Sequence, residues 1–329
     1  MAPAMRHLAF LLILSASPVT CTYFRDCDAQ LDKEKGPFGS PTFVNETWGK
    51  TLFWSLVPPG NDTLPLIVFM HGSTGQWEFY NENLELYASH GAVVVFPFIK
   101  NPEGDKKPFT LNTDGRYLVK AINYALNMTK NGSSAFFNRV DAHNIVIAGH
   151  SMGATCSIEA SKTLLEEKAI KLTVAQHPGV CGPFGPPPLP STWMPTALAS
   201  VAKAHPVLFT TATNDGAFWP APHTAEHEQW GATKRMTPLT LPGKAAFIAF
   251  SADACNQDGD RQPIIKDGGH NCPTKFKNGG APETPWVMTA FKLYAQFAGS
   301  KASKCYNMLW GDDADSLKNS KDADVVDLR

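Results

Sequence analysis

The residues best suited to chemistry lie in one pentapeptide, Gly149-His150-Ser151-Met152-Gly153. An apolar segment, Asn144 to Ala148, precedes it, and a segment with helical periodicity follows it. A serine between two glycines at a strand-to-helix turn is the pattern of a nucleophile elbow, where a sharp turn exposes the hydroxyl at the end of the strand. Glycines on either side leave space for such a turn and tolerate unusual backbone angles. The alternative is a glycine-rich turn in which Ser151 only caps the helix.

A serine hydroxyl becomes a strong nucleophile only when a neighbouring imidazole takes its proton. In proteins with this elbow, an acid and then a histidine follow the serine along the chain. Asp215 comes shortly after the apolar segment Pro206 to Ala212, and His270 is the last histidine of the sequence. We therefore predict Ser151 as the nucleophile, Asp215 as the acid and His270 as the base.

Other residues compete for the acid and base roles. Because Asp215 precedes a glycine, it is alternatively an ordinary turn residue. The remaining candidate acids are Asp253, Asp258, Asp260 and Asp267. They follow the last predicted strand, which is the wrong place for the acid in this chain order. The competing histidines are His177, His205, His223 and His227. The first precedes every candidate acid and suits a pocket wall, and the others lie too close to Asp215 in sequence.

Two backbone N–H groups must stabilise the oxyanion that forms when the serine attacks a carbonyl carbon. The first is expected from Met152, the residue after the nucleophile, and the second from the loop after the apolar segment Leu64 to Met70. This loop reads His71-Gly72-Ser73-Thr74-Gly75, and we assign the second N–H to Ser73. The alternative is a plain glycine-rich loop.

Aromatic residues in the neighbouring predicted loops indicate a substrate pocket. They are Trp77, Phe218 and Trp219. The alternative is that these rings pack on the core. The predicted reaction passes through an acyl-enzyme on Ser151 and requires no metal or organic cofactor. No CxxC pair occurs, so a zinc site is not expected either.

These residues require a sheet whose strands deliver them to one edge. Strands are predicted at Thr51–Val57, Leu64–Met70, Ala92–Pro97, Asn144–Ala148, Lys171–Gln176, Pro206–Ala212 and Ala245–Phe250. Helices are predicted at Gly115–Lys130, Met152–Lys168 and Pro285–Phe297. Strands that are apolar on both faces and alternate with helices predict an α/β fold, with a mostly parallel central sheet and helices on both faces.

The first residues have the features of a secretory signal peptide. Arg6 and His7 precede the apolar run Leu8 to Leu14, and small residues follow. We predict a signal peptide over residues 1–21, a catalytic domain over 22–311 and a charged, flexible tail over 312–329. The alternative for the first segment is a buried helix. The apolar run is too short to span a bilayer, so integral membrane association is not expected.

Sequons and cysteines agree with export. Four N-x-S/T sequons begin at Asn45, Asn61, Asn127 and Asn131, which predicts a glycoprotein. If cleavage follows Cys21, six cysteines remain, an even number suited to disulfides in an oxidising compartment. We predict a disulfide between Cys255 and Cys272, since it would restrain the loop that carries His270. The alternative is that one of the two pairs with Cys305 or remains a thiol.

The chain resembles the branch of the α/β-hydrolase superfamily that contains cutinases, polyester hydrolases, chlorophyllases and dienelactone hydrolases. Four stretches carry the likeness: residues 65–72 (PLIVFMHG), 88–96 (ASHGAVVVF), 114–118 (DGRYL) and 139–161 around Gly-His-Ser-Met-Gly. The likeness covers residues 60–298. It implies the α/β-hydrolase fold and a secreted serine hydrolase that cleaves carboxylic esters of a lipid-like or polyester substrate. It also implies that Ser151, Asp215 and His270 form the triad.

Departures from the family pattern leave the substrate open. Cutinases commonly carry an aromatic residue where Ser73 stands, and chlorophyllases usually carry arginine where Met152 stands. The stretches 179–195 and 252–269 are longer than the family's usual connections. Alternatives with the same triad are a lysophospholipase, a platelet-activating-factor-type acylhydrolase and a chlorophyllase-like esterase. A different kind of alternative is a non-catalytic binding module that kept the fold.

The overall charge gives no indication of a polyanionic partner. The chain has a formal net charge of -1 and lacks a cluster of Lys and Arg residues interleaved with aromatic residues. Such a chain has no evident electrostatic affinity for nucleic acid or for an anionic membrane surface. The expected partner is therefore an ester, either a small molecule, a lipid or a polyester.

Overall fold

The computed structural model describes residues 27, 35–72, 77–99, 115–166, 170–177, 200–212, 245–250 and 284–310. Within them the strands are β1 (Thr42–Trp48), β2 (Thr51–Val57), β3 (Leu64–Met70), β4 (Val93–Phe98), β5 (Val140–His150), β6 (Ile170–Gln176), β7 (Val207–Ala212) and β8 (Ala245–Phe250). The helices are α1 (Asn81–Ser89), α2 (Arg116–Met128), α3 (Met152–Thr163), α4 (Thr284–Phe291) and α5 (Lys304–Trp310). Shorter helical turns lie at Trp77–Phe79 and Lys292–Gln296.

The described strands form one eight-stranded sheet in the order β1-β2-β4-β3-β5-β6-β7-β8. Strand β2 pairs antiparallel with both β1 and β4. All other neighbours pair in parallel. The predicted α/β class with a mostly parallel sheet is therefore confirmed.

Alternate side chains of the central strands enter two separate cores, because successive residues of a strand point to opposite faces of the sheet. Ile67 and Phe69 of β3 belong to the core that also contains residues of α1, α4 and α5. Leu66 and Val68 of the same strand belong to the core that contains residues of α2 and α3. Helices therefore cover both faces of the sheet, and this explains why the central strands are apolar throughout.

The structure corrects the sequence-based elements in several places. Strand β1 was not predicted, because it contains Asn45, Glu46 and Thr47 and none of its residues is fully buried. Helix α1 was also missed, since its polar segment lacks a clear apolar stripe. Helix α3 ends at Thr163 rather than at Lys168. The predicted helix over residues 285–297 is α4 followed by a wider helical turn over Lys292–Gln296.

One disulfide, between Cys27 and Cys305, is present among the described residues, with the two Cα atoms 4.9 Å apart. It ties the segment before β1 to α5. The alternative in which Cys305 pairs with Cys255 or Cys272 is therefore wrong. The predicted Cys255–Cys272 pair lies outside the described residues and stays a prediction. Cys156 is a buried thiol in α3.

The predicted signal peptide over residues 1–21 and the predicted tail over 312–329 lie outside the described part of the chain. The predicted domain boundaries therefore stay predictions. Among the residues that the structure does describe, no helix combines the length and the apolar character that crossing a bilayer requires.

Candidate functional site

The sheet topology indicates where a ligand would bind. From β3 the chain crosses through α1 to β4 on one side, whereas from β5 it crosses through α3 to β6 on the other side. Right-handed crossovers in opposite directions place α1 and α3 on opposite faces, and the two helices do contribute to different cores. The topology therefore predicts a crevice at the carboxyl ends of β3 and β5, the usual ligand position in open α/β sheets.

Ser151 lies where this crevice is predicted, between the end of β5 and the start of α3. Its backbone angles are φ 57° and ψ −123°, a combination that residues other than glycine rarely adopt. The Ser151 N–H donates to the Gln176 carbonyl at the end of β6 (2.9 Å), and the Ser151 carbonyl accepts from the Ala154 N–H (3.0 Å). Among the described residues, its hydroxyl makes no capping hydrogen bond to α3. This speaks against the alternative in which Ser151 is only a helix cap.

The flanking glycines provide space for the turn. A Cβ on Gly149 would overlap the Gly153 carbonyl, and a Cβ on Gly153 would overlap the Met70 carbonyl of β3. Neither glycine has a positive φ, so the unusual backbone conformation belongs to Ser151 itself. Such a conformation costs on the order of 1–3 kcal/mol and persists only where surrounding packing enforces it. Backbone strain of this kind is often found at functional sites, and here it lies at the serine that is predicted to react.

The loop after β3 approaches Ser151 directly. A Cβ on Gly72 would lie 3.1 Å from the Ser151 Cβ and 3.3 Å from the His150 Nδ1. The two chain segments predicted to supply the oxyanion donors therefore meet beside the serine. Met152 is the first residue of α3, where backbone N–H groups have no partner within the helix and carry the positive end of the helix dipole. Ser73 lies outside the described residues, and its role stays a prediction.

The buried side chain of Tyr80 connects the loop after β3 to the turn at Ser151. The Tyr80 hydroxyl, just before α1, accepts a hydrogen bond from the Gly72 N–H (3.0 Å) and also bonds the His150 Nδ1 (2.9 Å). Burial raises the pKa of Tyr80 far above its usual range, so the phenol stays neutral. Because the Gly72 N–H is engaged here, the next N–H of the loop, that of Ser73, is the better candidate for the oxyanion.

His71 completes this polar group. Its Nδ1 donates to the Gly72 carbonyl (2.6 Å), which fixes the ring tautomer because a carbonyl only accepts. Burial lowers the pKa of His71 to about 4, so the ring is neutral at physiological pH. Among the described residues its Nε2 has no hydrogen-bond partner.

His177 follows β6 and is fully buried, with a φ of 45°. Its ring centroid lies 6.1 Å from that of His150, and its predicted place in a pocket wall stays a prediction. His205, a rejected candidate base, bonds the Thr173 Oγ1 (2.8 Å) in the interior. Sequence reasoning missed Tyr80 entirely, since nothing local distinguishes this tyrosine from a core residue.

Trp77 is described, and its ring packs against the core that contains α1. Its centroid lies 5.4 Å from Phe43, 5.5 Å from Trp54 and 5.4 Å from Phe96. These contacts match the alternative in which the ring packs on the core, and its predicted role in substrate binding stays a prediction. Phe218 and Trp219 lie outside the described residues.

Asp215 and His270 also lie outside the described residues. The strands that precede them are described, however. Strand β7 ends at Ala212, three residues before Asp215, and its carboxyl end lies at the same sheet edge as that of β5. Two strand spacings separate β5 from β7, about 10 Å, a distance that a short loop and an imidazole can bridge. The sheet topology is therefore compatible with the triad, which stays a prediction.

Comparison with known proteins adds no assignment. No protein-family model matches the chain. No curated protein matches it either.

Proposed function

We propose that this protein is a secreted serine hydrolase with the α/β-hydrolase fold, cleaving carboxylic esters of a lipid-like or polyester substrate. The observation that carries the proposal is the positive φ of Ser151 at the turn between β5 and α3. A nucleophile elbow requires a sharp turn of this kind, and here the turn lies between two glycines that no larger residue could replace without displacement of the backbone. The β3 loop lies against it, as an oxyanion hole requires.

The proposed reaction has two halves. His270 takes the proton of Ser151 as the hydroxyl oxygen attacks the ester carbonyl carbon, and Asp215 orients the imidazole and stabilises its charge. The carbonyl oxygen becomes an oxyanion between the N–H groups of Ser73 and Met152, each worth about 3 kcal/mol. His270 then gives the proton to the leaving alcohol, and an acyl group remains on Ser151. Water, activated by His270, attacks this acyl-enzyme and releases the carboxylic acid.

A fluorophosphonate probe tests the proposal, because it phosphonylates only a serine whose base and oxyanion hole are assembled. We expect stoichiometric labelling of the native protein on the peptide that contains Ser151, and no labelling after heat denaturation. A native, folded protein without label would instead support a non-catalytic binding module. A series of p-nitrophenyl esters of increasing acyl length then identifies the chain-length preference.

Replacing Tyr80 with phenylalanine should impair catalysis more than substrate binding. The change removes the oxygen that holds the Gly72 N–H, so the loop that carries the proposed Ser73 donor loses its tie to the elbow. Since an oxyanion donor acts in the transition state, we expect kcat to fall about tenfold with little change in KM. The free energy of unfolding should fall by about 1–3 kcal/mol. Steady-state kinetics and denaturant unfolding measure the two effects.

The matched control is Tyr124→Phe on the other face of the sheet. The buried Tyr124 hydroxyl donates to the Glu46 Oε2 of β1 (2.8 Å). Its loss should lower stability by a similar amount while kcat stays within twofold. If both variants lower kcat equally, the phenol of Tyr80 has only a structural role.

A further inference from the structure

The sequon that begins at Asn45 lies on an edge strand of the sheet. Strand β1 pairs only with β2 in the described sheet, and Phe43, Asn45 and Thr47 are all exposed. Because side chains alternate along a strand, these three share one face. The opposite face is occupied, since Val44 packs on the core beside α2 and Glu46 accepts the hydrogen bond from the Tyr124 hydroxyl.

The face that carries Asn45 also carries a group of partly exposed rings, which we call the edge aromatic patch: Phe43, Trp54, Trp77 and Phe98. Phe43 is 48% exposed, and its ring centroid lies 6.3 Å from Trp54 and 5.4 Å from Trp77. Trp54 in turn stacks on Phe98 at 4.6 Å. Asn45 pairs directly with Trp54 across the two strands, which places their Cβ atoms about 5 Å apart.

We propose that Asn45 carries an N-linked glycan whose first sugar packs against Phe43 and Trp54. The amide Nδ2 of Asn45 would attack C1 of a lipid-linked pyrophosphate oligosaccharide. A C–N bond forms, the C–O bond to the pyrophosphate breaks, the amide loses one proton and the lipid pyrophosphate leaves. The step requires passage through a compartment that holds this donor, so it depends on the proposed export and not on the triad.

Ring electrostatics favour this position for the sugar. The C–H groups on one face of a pyranose carry partial positive charge, and the face of an aromatic ring is negative. Phe43 precedes Asn45 by two residues on the same strand face, and Trp54 faces Asn45 from β2. A first sugar on this amide is therefore within reach of both rings. The glycan would cover an exposed apolar patch and obstruct pairing of the β1 edge with another chain.

The other three sequons have no such surroundings. The residues two positions before Asn61, Asn127 and Asn131 are proline, alanine and threonine. All three asparagines are exposed, and none lies in a strand. They can accept a glycan without an aromatic neighbour at the same spacing, and they serve as internal controls.

The test is secretion of the full chain from a eukaryotic host, followed by glycopeptide mass spectrometry and calorimetry. We expect Asn45 to be occupied, and Asn45→Gln to lower Tm by roughly 2–4 °C. In a Phe43→Ala background, the same change should lower Tm by less than half as much. Asn61→Gln should give the same shift in both backgrounds. Phe43 is exposed, so its substitution leaves the core intact.

Enzymatic trimming provides a measurement without mutation. An endoglycosidase that leaves one N-acetylglucosamine on each asparagine should keep most of the Tm advantage, since only the first sugar contacts the rings. An unoccupied Asn45 overturns the proposal, as does a Tm shift that Phe43→Ala leaves unchanged. Fluorophosphonate labelling of the same sample reports on Ser151 separately, so failure of the glycan proposal and failure of the proposed catalysis are distinguishable.

Discussion

Replacing Ser151 with alanine is expected to abolish ester hydrolysis while the protein stays folded. The hydroxyl oxygen is the attacking atom of the proposed reaction, and alanine has no atom that replaces it. The loss in kcat should be on the order of 10³-fold or more, and the remainder reflects binding and the oxyanion hole. Alanine tolerates the positive φ at this position no worse than serine does, so the turn should persist.

Two measurements check this expectation. Turnover of a p-nitrophenyl ester reports activity, and the thermal unfolding midpoint reports the fold. Ser161→Ala is the matched control, because Ser161 is buried in the same helix and its hydroxyl bonds the Thr173 Oγ1 (2.6 Å) away from the crevice. It should lose about 1 kcal/mol of stability and keep its activity. Near-normal turnover in a folded Ser151→Ala protein would refute the assignment of Ser151 as the nucleophile.

The central strands could be predicted from sequence, because burial on both faces requires an unbroken apolar run. Strands β2, β3 and β8 have the predicted bounds, and the bounds of β4, β6 and β7 differ by one residue, whereas β5 begins four residues earlier and ends two residues later than predicted. Strand β1 could not be found this way. Its stability comes from pairing with β2 and from the Glu46–Tyr124 hydrogen bond, which joins residues 78 positions apart.

The candidate site also has one part that the sequence predicts and one part that it does not. The turn at Ser151 is local, so its glycines and serine could be identified from five consecutive residues. The link from Gly72 through Tyr80 to His150 depends on the crossing of the chain from β3 over α1, and no short-range pattern encodes it. From the sequence, the glycines were expected to adopt the unusual backbone angles. In the structure Ser151 adopts them instead. Packing of Gly153 against β3 enforces that conformation, and such packing is not visible in sequence.

Replacing Asp215 with asparagine is expected to lower kcat about as strongly as Ser151→Ala does. An amide in place of the carboxylate donates a hydrogen bond to the imidazole instead of accepting one, so the wrong tautomer of His270 is stabilised. The imidazolium that forms during attack also loses its counter-charge. We expect kcat to fall by about 10⁴-fold, with little change in stability because the two side chains have nearly the same shape.

The position of Asp215 in the chain is the reason for choosing it over the later aspartates. It follows β7 by three residues, and the carboxyl end of β7 lies at the sheet edge where Ser151 stands. Asp258 and Asp267 follow β8 instead, one strand further from the nucleophile. The corresponding variants, Asp258→Asn and Asp267→Asn, are therefore the controls, and both should keep kcat within a few-fold of the wild type. If either of them causes the large loss and Asp215→Asn does not, the acid follows β8 and the proposed chain order of the triad is wrong.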